Sequence, residues 1–156
     1  MLCTFFLSPT VTSAYERTIE KGRTVSIHYI LRVDGKVLES TVGKAPLTYH
    51  QGDGKILPAL AKALEGLKEG DHKRVVLPPQ KAYGLNDPKQ YRLVKKSSFP
   101  IDLKLLPGMV VDIKSPQGDV LPAIVWEVHK DDVLLNFNHP LAGKTLVFDV
   151  TVVKIR

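Results

Sequence analysis

The sequence predicts a mostly antiparallel β fold of the α+β class with a single short helix. Three observations carry this. Short stretches alternate apolar and polar residues, each closed by a Gly-, Pro- or Asp-containing turn. Only one segment changes to helical spacing. Nowhere do strands and helices alternate in the manner that builds a parallel, doubly wound sheet.

The readable pattern starts at Arg23. In "TVSIHYILRV" the residues Val25, Ile27, Tyr29, Leu31 and Val33 alternate with Ser26, His28 and Arg32, which marks a half-buried strand. Asp34-Gly35 supplies a hairpin turn. "VLESTV" and "PLTYHQG" read as two more short strands, and Pro46 confines the second to a sheet edge or a strand start. The period then changes. "KILPALAKALEGLKEGD" sets Leu57, Leu60, Ala61 and Leu64 at helical spacing, with Lys62 and Glu65 on the other side. Pro58 suits the first helical turn, and Gly66-Leu67 a left-handed C-terminal cap. "HKRVVLPP" is a strand stopped by two prolines, and "QKAYGLNDP" is turn-rich. From about Pro88 the texture is again short strands: "KQYRLV", "MVVDIK", "LPAIVWEVH" and "DVLLNF". Trp126, in the third of these, is given a structural place, since alternation buries either it or its neighbours. After the turn "NHPLAG" a last strand, Lys144 to Arg156, puts Leu146, Phe148, Val150 and Val152 on one face.

Composition narrows the function. A chain of 156 residues makes one ordinary domain or two small ones, and 44% apolar against 24% charged residues is enough for packed cores. The net charge of +6 is scattered, with no basic stripe interleaved with aromatics, so nucleic acid is not an expected partner. A single cysteine, Cys3, allows no internal disulfide and no thiolate metal site. No run reaches the roughly 18 apolar residues of a membrane-spanning helix, and no membrane partner is expected. The opening "MLCTFFLSPTVTSAYE" lacks the basic residues and long apolar run of an export signal. Residues 1–21 are read as a tail and the chain as cytoplasmic. The alternative is an exported protein whose residues 1–14 are a truncated signal.

Motifs for covalent or metal chemistry are missing. There is no G-x-S-x-G, no phosphate-binding glycine loop and no H-E-x-x-H. His50 and Asp53 are the nearest approach to a metal pair, but they also fit a strand end and a turn aspartate that caps the helix. An enzyme of this composition performs chemistry that needs no nucleophile, metal or cofactor. Rotation about an X-Pro peptide bond is such a reaction: no bond breaks, yet the barrier is about 18–20 kcal/mol. An apolar pocket that favours the twisted amide lowers it, tenfold for each ~1.4 kcal/mol of differential binding.

The succession "VSIHYILRVDGKVLEST", "APLTYHQGDGKILPALAKALEGLKEGDHKRVVLPPQKAYG" and "NHPLAGKTLVFDVTVVKIR" resembles the FKBP-type peptidyl-prolyl cis-trans isomerases, in particular the SlyD-like branch. The likeness runs from about Gly22 to Arg156, and its most specific parts are "LEGLKEGD", "LPPQKAYG" and "NHPLAGKTLVFDV". It implies a half-barrel sheet wrapped on the helix, formed by residues 22–87 and 138–156. Residues 88–137 would be a small inserted β domain with chaperone function (the insert-in-flap), and "NHPLAG" the return from it. The implied catalytic residues are Tyr29, Glu39, Tyr83 and Phe148. Leu38 and Leu47 would be pocket walls, and Ile56 and Leu57 the site of a backbone N–H that binds substrate carbonyl. Leu60 would be the floor, and Leu141 would close the pocket with Phe148. By pattern alone Tyr29, Leu57, Leu60 and Phe148 are equally ordinary core residues. Two departures bear on activity: Glu39 stands where the family usually has Asp, and "PALA" puts Ala59 and Ala61 where Gly and Glu are common. The expected partners are unfolded or proline-containing polypeptides, the chain is expected to be a monomer, and no metal or cofactor is expected. No His- and Cys-rich stretch is present, so the nickel-delivery role of some SlyD proteins is not expected. The alternative function is a holdase chaperone whose isomerase pocket has weakened.

Overall fold

A computed structural model describes residues 16–156; the readings of the first fifteen residues therefore lie outside the described residues, while in the rest of the stretch read as a tail Ile19 is buried in the first sheet's core and its N–H donates to the Leu67 carbonyl (2.8 Å). The strands form two separate sheets, each with its own core.

The first sheet is built on β1 (Thr24–Val33) and β9 (Leu146–Ile155), antiparallel over nearly their whole length. The order is β2 (Lys36–Ser40), β1, β9, β4 (His72–Leu77), so the strand latest in sequence is central. β3 (Leu47–His50) lies beyond β2 along the same edge of β1, pairing with Thr24 to Ile27 while β2 pairs with Ile30 to Val33. Pro46, just ahead of β3, donates no hydrogen bond and is tolerated there. The β1–β2 turn takes positive φ at both Asp34 (50°) and Gly35 (77°), the conformation that suits the twist of a two-residue hairpin.

Alternation dictates what is buried. Leu146, Phe148, Val150 and Val152 of β9 face inward with Val25, Ile27 and Leu31 of β1 and Val75 and Leu77 of β4. The phase slips near the end of β9. Ile27 pairs with Val152 but Ser26 with Lys154, so Val153 is the extra residue of a bulge. Beyond it Lys154 is exposed and Ile155 returns to the core.

The helix α1 (Pro58–Leu64) lays Leu60 and Leu64 on this inward face, and burying a leucine such as Leu64 contributes about 1.5–3 kcal/mol. The Lys73 ammonium donates to the Ala63 carbonyl at 2.7 Å and ties the helix end to β4. Gly66 takes positive φ (80°), as a C-terminal cap needs, but its N–H goes to the Ile19 carbonyl (2.9 Å) rather than back into the helix. The expectation that Asp53 caps the helix is corrected: its carboxylate accepts from the Lys55 and His50 N–H groups, and Leu57 occupies the N-cap without a side-chain bond.

The second sheet has the order β5 (Tyr91–Lys95), β8 (Asp132–Asn136), β7 (Val120–Val128), β6 (Val110–Lys114). Val111, Ala123, Val125, Val133 and Leu135 form its core, covered by Phe99 and Leu105 from the long β5–β6 connection. Trp126 is not part of that core. It is skipped at a bulge between Val125 and Glu127, stands 51% exposed, and meets Tyr91 edge-on at 5.5 Å. The two crossings between the sheets are pinned together. Asp87 N–H donates to the Asn138 side-chain oxygen (2.9 Å), and the Asn138 amide donates to the Asp87 carbonyl (3.1 Å).

Candidate active site

The inward face of β1, the start of α1 and the turn after β4 enclose a cavity of about 410 Å³. Tyr29 lies on the same face of β1 as Ile27 and Leu31, but it is only half-buried because it borders this opening. Its backbone is fixed by Thr41, whose hydroxyl accepts the Tyr29 N–H (2.9 Å) and whose N–H donates to the Tyr29 carbonyl (3.0 Å). Across the cavity the Tyr29 and Phe148 rings are 6.0 Å apart and tilted by 54°.

Glu39 faces inward because it pairs directly with Leu31, and cross-strand partners share a face. Burial, and then the facing Glu39 carboxylate, push the Tyr29 phenol up to about 12. The phenol is therefore a protonated donor throughout the neutral range. Leu47 of β3, Ile56 and Leu57 ahead of the helix, and Leu60 in its first turn supply apolar walls. Among the described residues the Ile56 N–H has no hydrogen-bond acceptor. Lys55 lines the same opening with its ammonium anchored on the Thr48 carbonyl at 2.7 Å.

Tyr83 closes the other side. A 3₁₀ turn over Pro79–Lys81 leads into it, and the Gly84 N–H returns to the Pro79 carbonyl (2.8 Å) with Gly84 at φ 79°. The return segment from the second sheet packs on this turn. The Gly143 N–H donates to the Gly84 carbonyl (2.8 Å), and the His139 ring stacks on Tyr83 at 3.9 Å and 5°. The Leu141 N–H donates to His139 Nδ1 (3.1 Å), which fixes the ring's orientation.

Of the ten residues named from sequence, Tyr29, Glu39, Leu47, Ile56, Leu57, Leu60, Tyr83 and Phe148 border one cavity. Leu38 does not. It is the residue skipped where Leu31 pairs with Glu39 and Arg32 with Val37, and it stands 57% exposed. Leu141 packs against the core of the first sheet without lining the cavity. His139 is not among the ten; its only signal in the sequence is its place in the turn "NHPLAG". His50 and Asp53 are engaged in the strand end and turn, with His50 Nδ1 on the Thr24 hydroxyl at 2.9 Å.

An apolar, open cavity with phenols and one carboxylate at its rim suits non-covalent binding and distortion of a peptide rather than attack on it. Rotation about a peptide bond is chemistry of that kind. The family model for FKBP-type peptidyl-prolyl cis-trans isomerase matches residues 15–153, and the chain belongs to that family. It is 35% identical over 142 residues to a probable FKBP-type 16 kDa peptidyl-prolyl cis-trans isomerase of Pseudomonas fluorescens, covering 90% of this chain and 94% of that one. It is 38% identical over 133 residues to the SlyD isomerase of Treponema pallidum, covering 85% and 75%. A short-type isomerase of Methanocaldococcus jannaschii is 32% identical over 149 residues, covering 86% and 92%. The chain is thus a peptidyl-prolyl cis-trans isomerase, an enzyme class that acts on proline-containing polypeptides and needs no cofactor.

Proposed function

We propose that the cavity between Tyr29, Leu60, Tyr83 and Phe148 is where the X-Pro bond turns, and that the second sheet holds unfolded client chains for it. In this reading the proline ring enters against Phe148 and Leu60, and the apolar walls strip water from the carbonyl ahead of it. Loss of water favours the twisted amide, whose charge separation is smaller than that of the planar one. The Ile56 N–H and the Tyr83 hydroxyl hold the substrate backbone on either side. The Tyr29 phenol and the Glu39 carboxylate face the same opening, where both can meet the substrate backbone.

The observation that carries the client-holding role is a groove of about 430 Å³ on the second sheet. Val110, Leu121, Ile124 and Phe137 line it, and it runs onto His139 and Pro140 of the return segment. Because His139 stacks on Tyr83, groove and cavity meet at one pair of rings. Val110 and Leu121, 64% and 44% exposed, both open into this groove, and apolar surface gathered in one groove is of the kind that marks binding sites. A client held there meets the second site at high effective concentration.

The test is refolding of a protein limited by a trans-to-cis prolyl step, alongside suppression of aggregation. Leu121→Glu should weaken both on protein clients while isomerisation of a short proline peptide is unchanged. Equal loss on peptide and protein would refute separate sites, and aggregation suppressed without acceleration would leave only a holdase.

A further inference from the structure

The groove on the second sheet runs across its strands. Arg92 lines it from β5 and Val110 from β6, with β8 and β7 between them. Its two ends are therefore three strand spacings, roughly 14 Å, apart, which is the length of about four extended residues. Leu121, Ile124 and Val110 make most of it apolar. Phe137 lies beneath the Arg92 end, and His139, two residues further on, carries that end to Tyr83.

Charge is confined to the same end. Arg92 is the one permanently charged side chain in the groove, and among the described residues no Asp or Glu lines it. Its guanidinium stands over the Phe137 ring, 5.5 Å from the centroid, an attraction that keeps the charge at the groove. Arg32 and Arg74 are spent on Asp149, and Lys144 on Asp34, but Arg92 has no carboxylate partner among the described residues. A guanidinium lying on an aromatic face keeps its in-plane N–H groups free, and these match the two oxygens of a carboxylate. His139 adds a further donor. Its Nδ1 accepts the Leu141 N–H, so the other ring nitrogen carries the hydrogen of the neutral imidazole.

We propose that the client segment taken by this groove is apolar over about four residues and carries an aspartate or glutamate, paired with Arg92, at the end nearer its proline. This rests on the reading that the groove holds clients. An apolar segment laid across the groove without the acid takes water from the guanidinium and returns nothing. A carboxylate there replaces the lost water with charge-assisted hydrogen bonds, and a lysine is repelled. The groove thereby ranks otherwise similar apolar segments by the charge beside their proline.

The experiment uses the full chain and labelled unstructured peptides, with binding read by fluorescence anisotropy. Each peptide holds an apolar run and a proline, separated by a spacer that carries Glu, Gln or Lys, and both chain orders are made. In one order Glu should bind about three- to tenfold tighter than Gln, and Lys more weakly than Gln. Arg92→Gln should bring Glu and Gln within about twofold. Arg92→Glu should make Lys the tightest of the three, a reversal that a damaged fold does not produce. Equal binding of Glu and Gln to the wild type overturns the proposal, and so does a preference that survives Arg92→Gln. Leu121→Gln, polar but uncharged, tells which reading has failed. If it weakens every peptide, the groove holds clients and the acid preference alone is wrong; if it weakens none, clients bind elsewhere and both readings fall. A groove filled by a second copy of the chain would appear in sedimentation as a dimer that no peptide displaces, which also overturns the proposal.

Discussion

Tyr83 allows catalysis to be separated from stability by two substitutions. Its ring is 41% exposed, so truncation opens no core cavity, and within the protein it removes chiefly the stack on His139. An aromatic pair contributes about 0.5–1.5 kcal/mol beyond its buried area. In a protein of this size that lowers Tm by roughly 2–4 °C for each kcal/mol. Tyr83→Phe keeps the stack and removes only the hydroxyl; in the proposed role this is a hydrogen bond of about 1 kcal/mol in the transition state, and kcat/KM should fall about fivefold. Tyr83→Ala removes both and also frees His139, so it should cost tenfold or more with a Tm loss of a few degrees. The assay is acceleration of a prolyl-limited refolding step, with thermal unfolding of each variant. If Tyr83→Phe matches the wild type while Tyr83→Ala is impaired, the hydroxyl does not touch substrate and the ring acts by packing alone. If neither variant loses activity, the assignment of this cavity is wrong.

Further tests follow from the same geometry. Leu64→Ala, at a fully buried position under the sheet, should destabilise by about 3–5 kcal/mol in urea unfolding. Asp149 accepts from Arg74 at 2.6 Å and also pairs with Arg32, and the Arg74 contact foremost holds its carboxyl below the usual carboxylate range. That stabilisation is present above the ordinary carboxylate pKa and lost as pH falls through the depressed folded value. Asp149→Asn should therefore lower the urea midpoint at neutral pH, with the gap closing in acid. Tyr29, raised to about 12, contributes stability that is full below the ordinary phenol value and is lost as pH rises toward 12. Ultraviolet titration should show a late tyrosine phase that Tyr29→Phe diminishes.

The regular part of the fold is legible in the sequence because its cause is local. Alternation in "TVSIHYILRV" and "TLVFDVTVVKI" is the direct imprint of one wet and one dry face, and the change of period at Leu57 marks where a helix covers the dry one. The departures sit at bulges. Leu38 and Trp126 are each the extra residue of a strand pair, and an inserted residue turns its side chain away without any mark in composition. Asp53 stands near the helix start and so reads as its cap, but its carboxylate is used by the turn it belongs to. The site residues are legible only through likeness to a family, since Leu60 or Phe148 reads as plain core by spacing. His139 is invisible as a site neighbour because its meeting with Tyr83 depends on how the crossings are pinned, a contact between distant parts of the chain.

The central place of β9 also orders events during synthesis. It pairs with β1 and β4 on its two sides, yet it follows the whole second sheet in sequence. A growing chain therefore exposes the apolar faces of β1 and β4 while residues 88–137 are still being made, a wait of several seconds at roughly 5–20 residues per second. The second sheet, whose pairings are all internal, has its last strand by Asn136 and can close before β9 is made. The nascent enzyme then carries its own unfinished first sheet beside an apolar groove that has already formed.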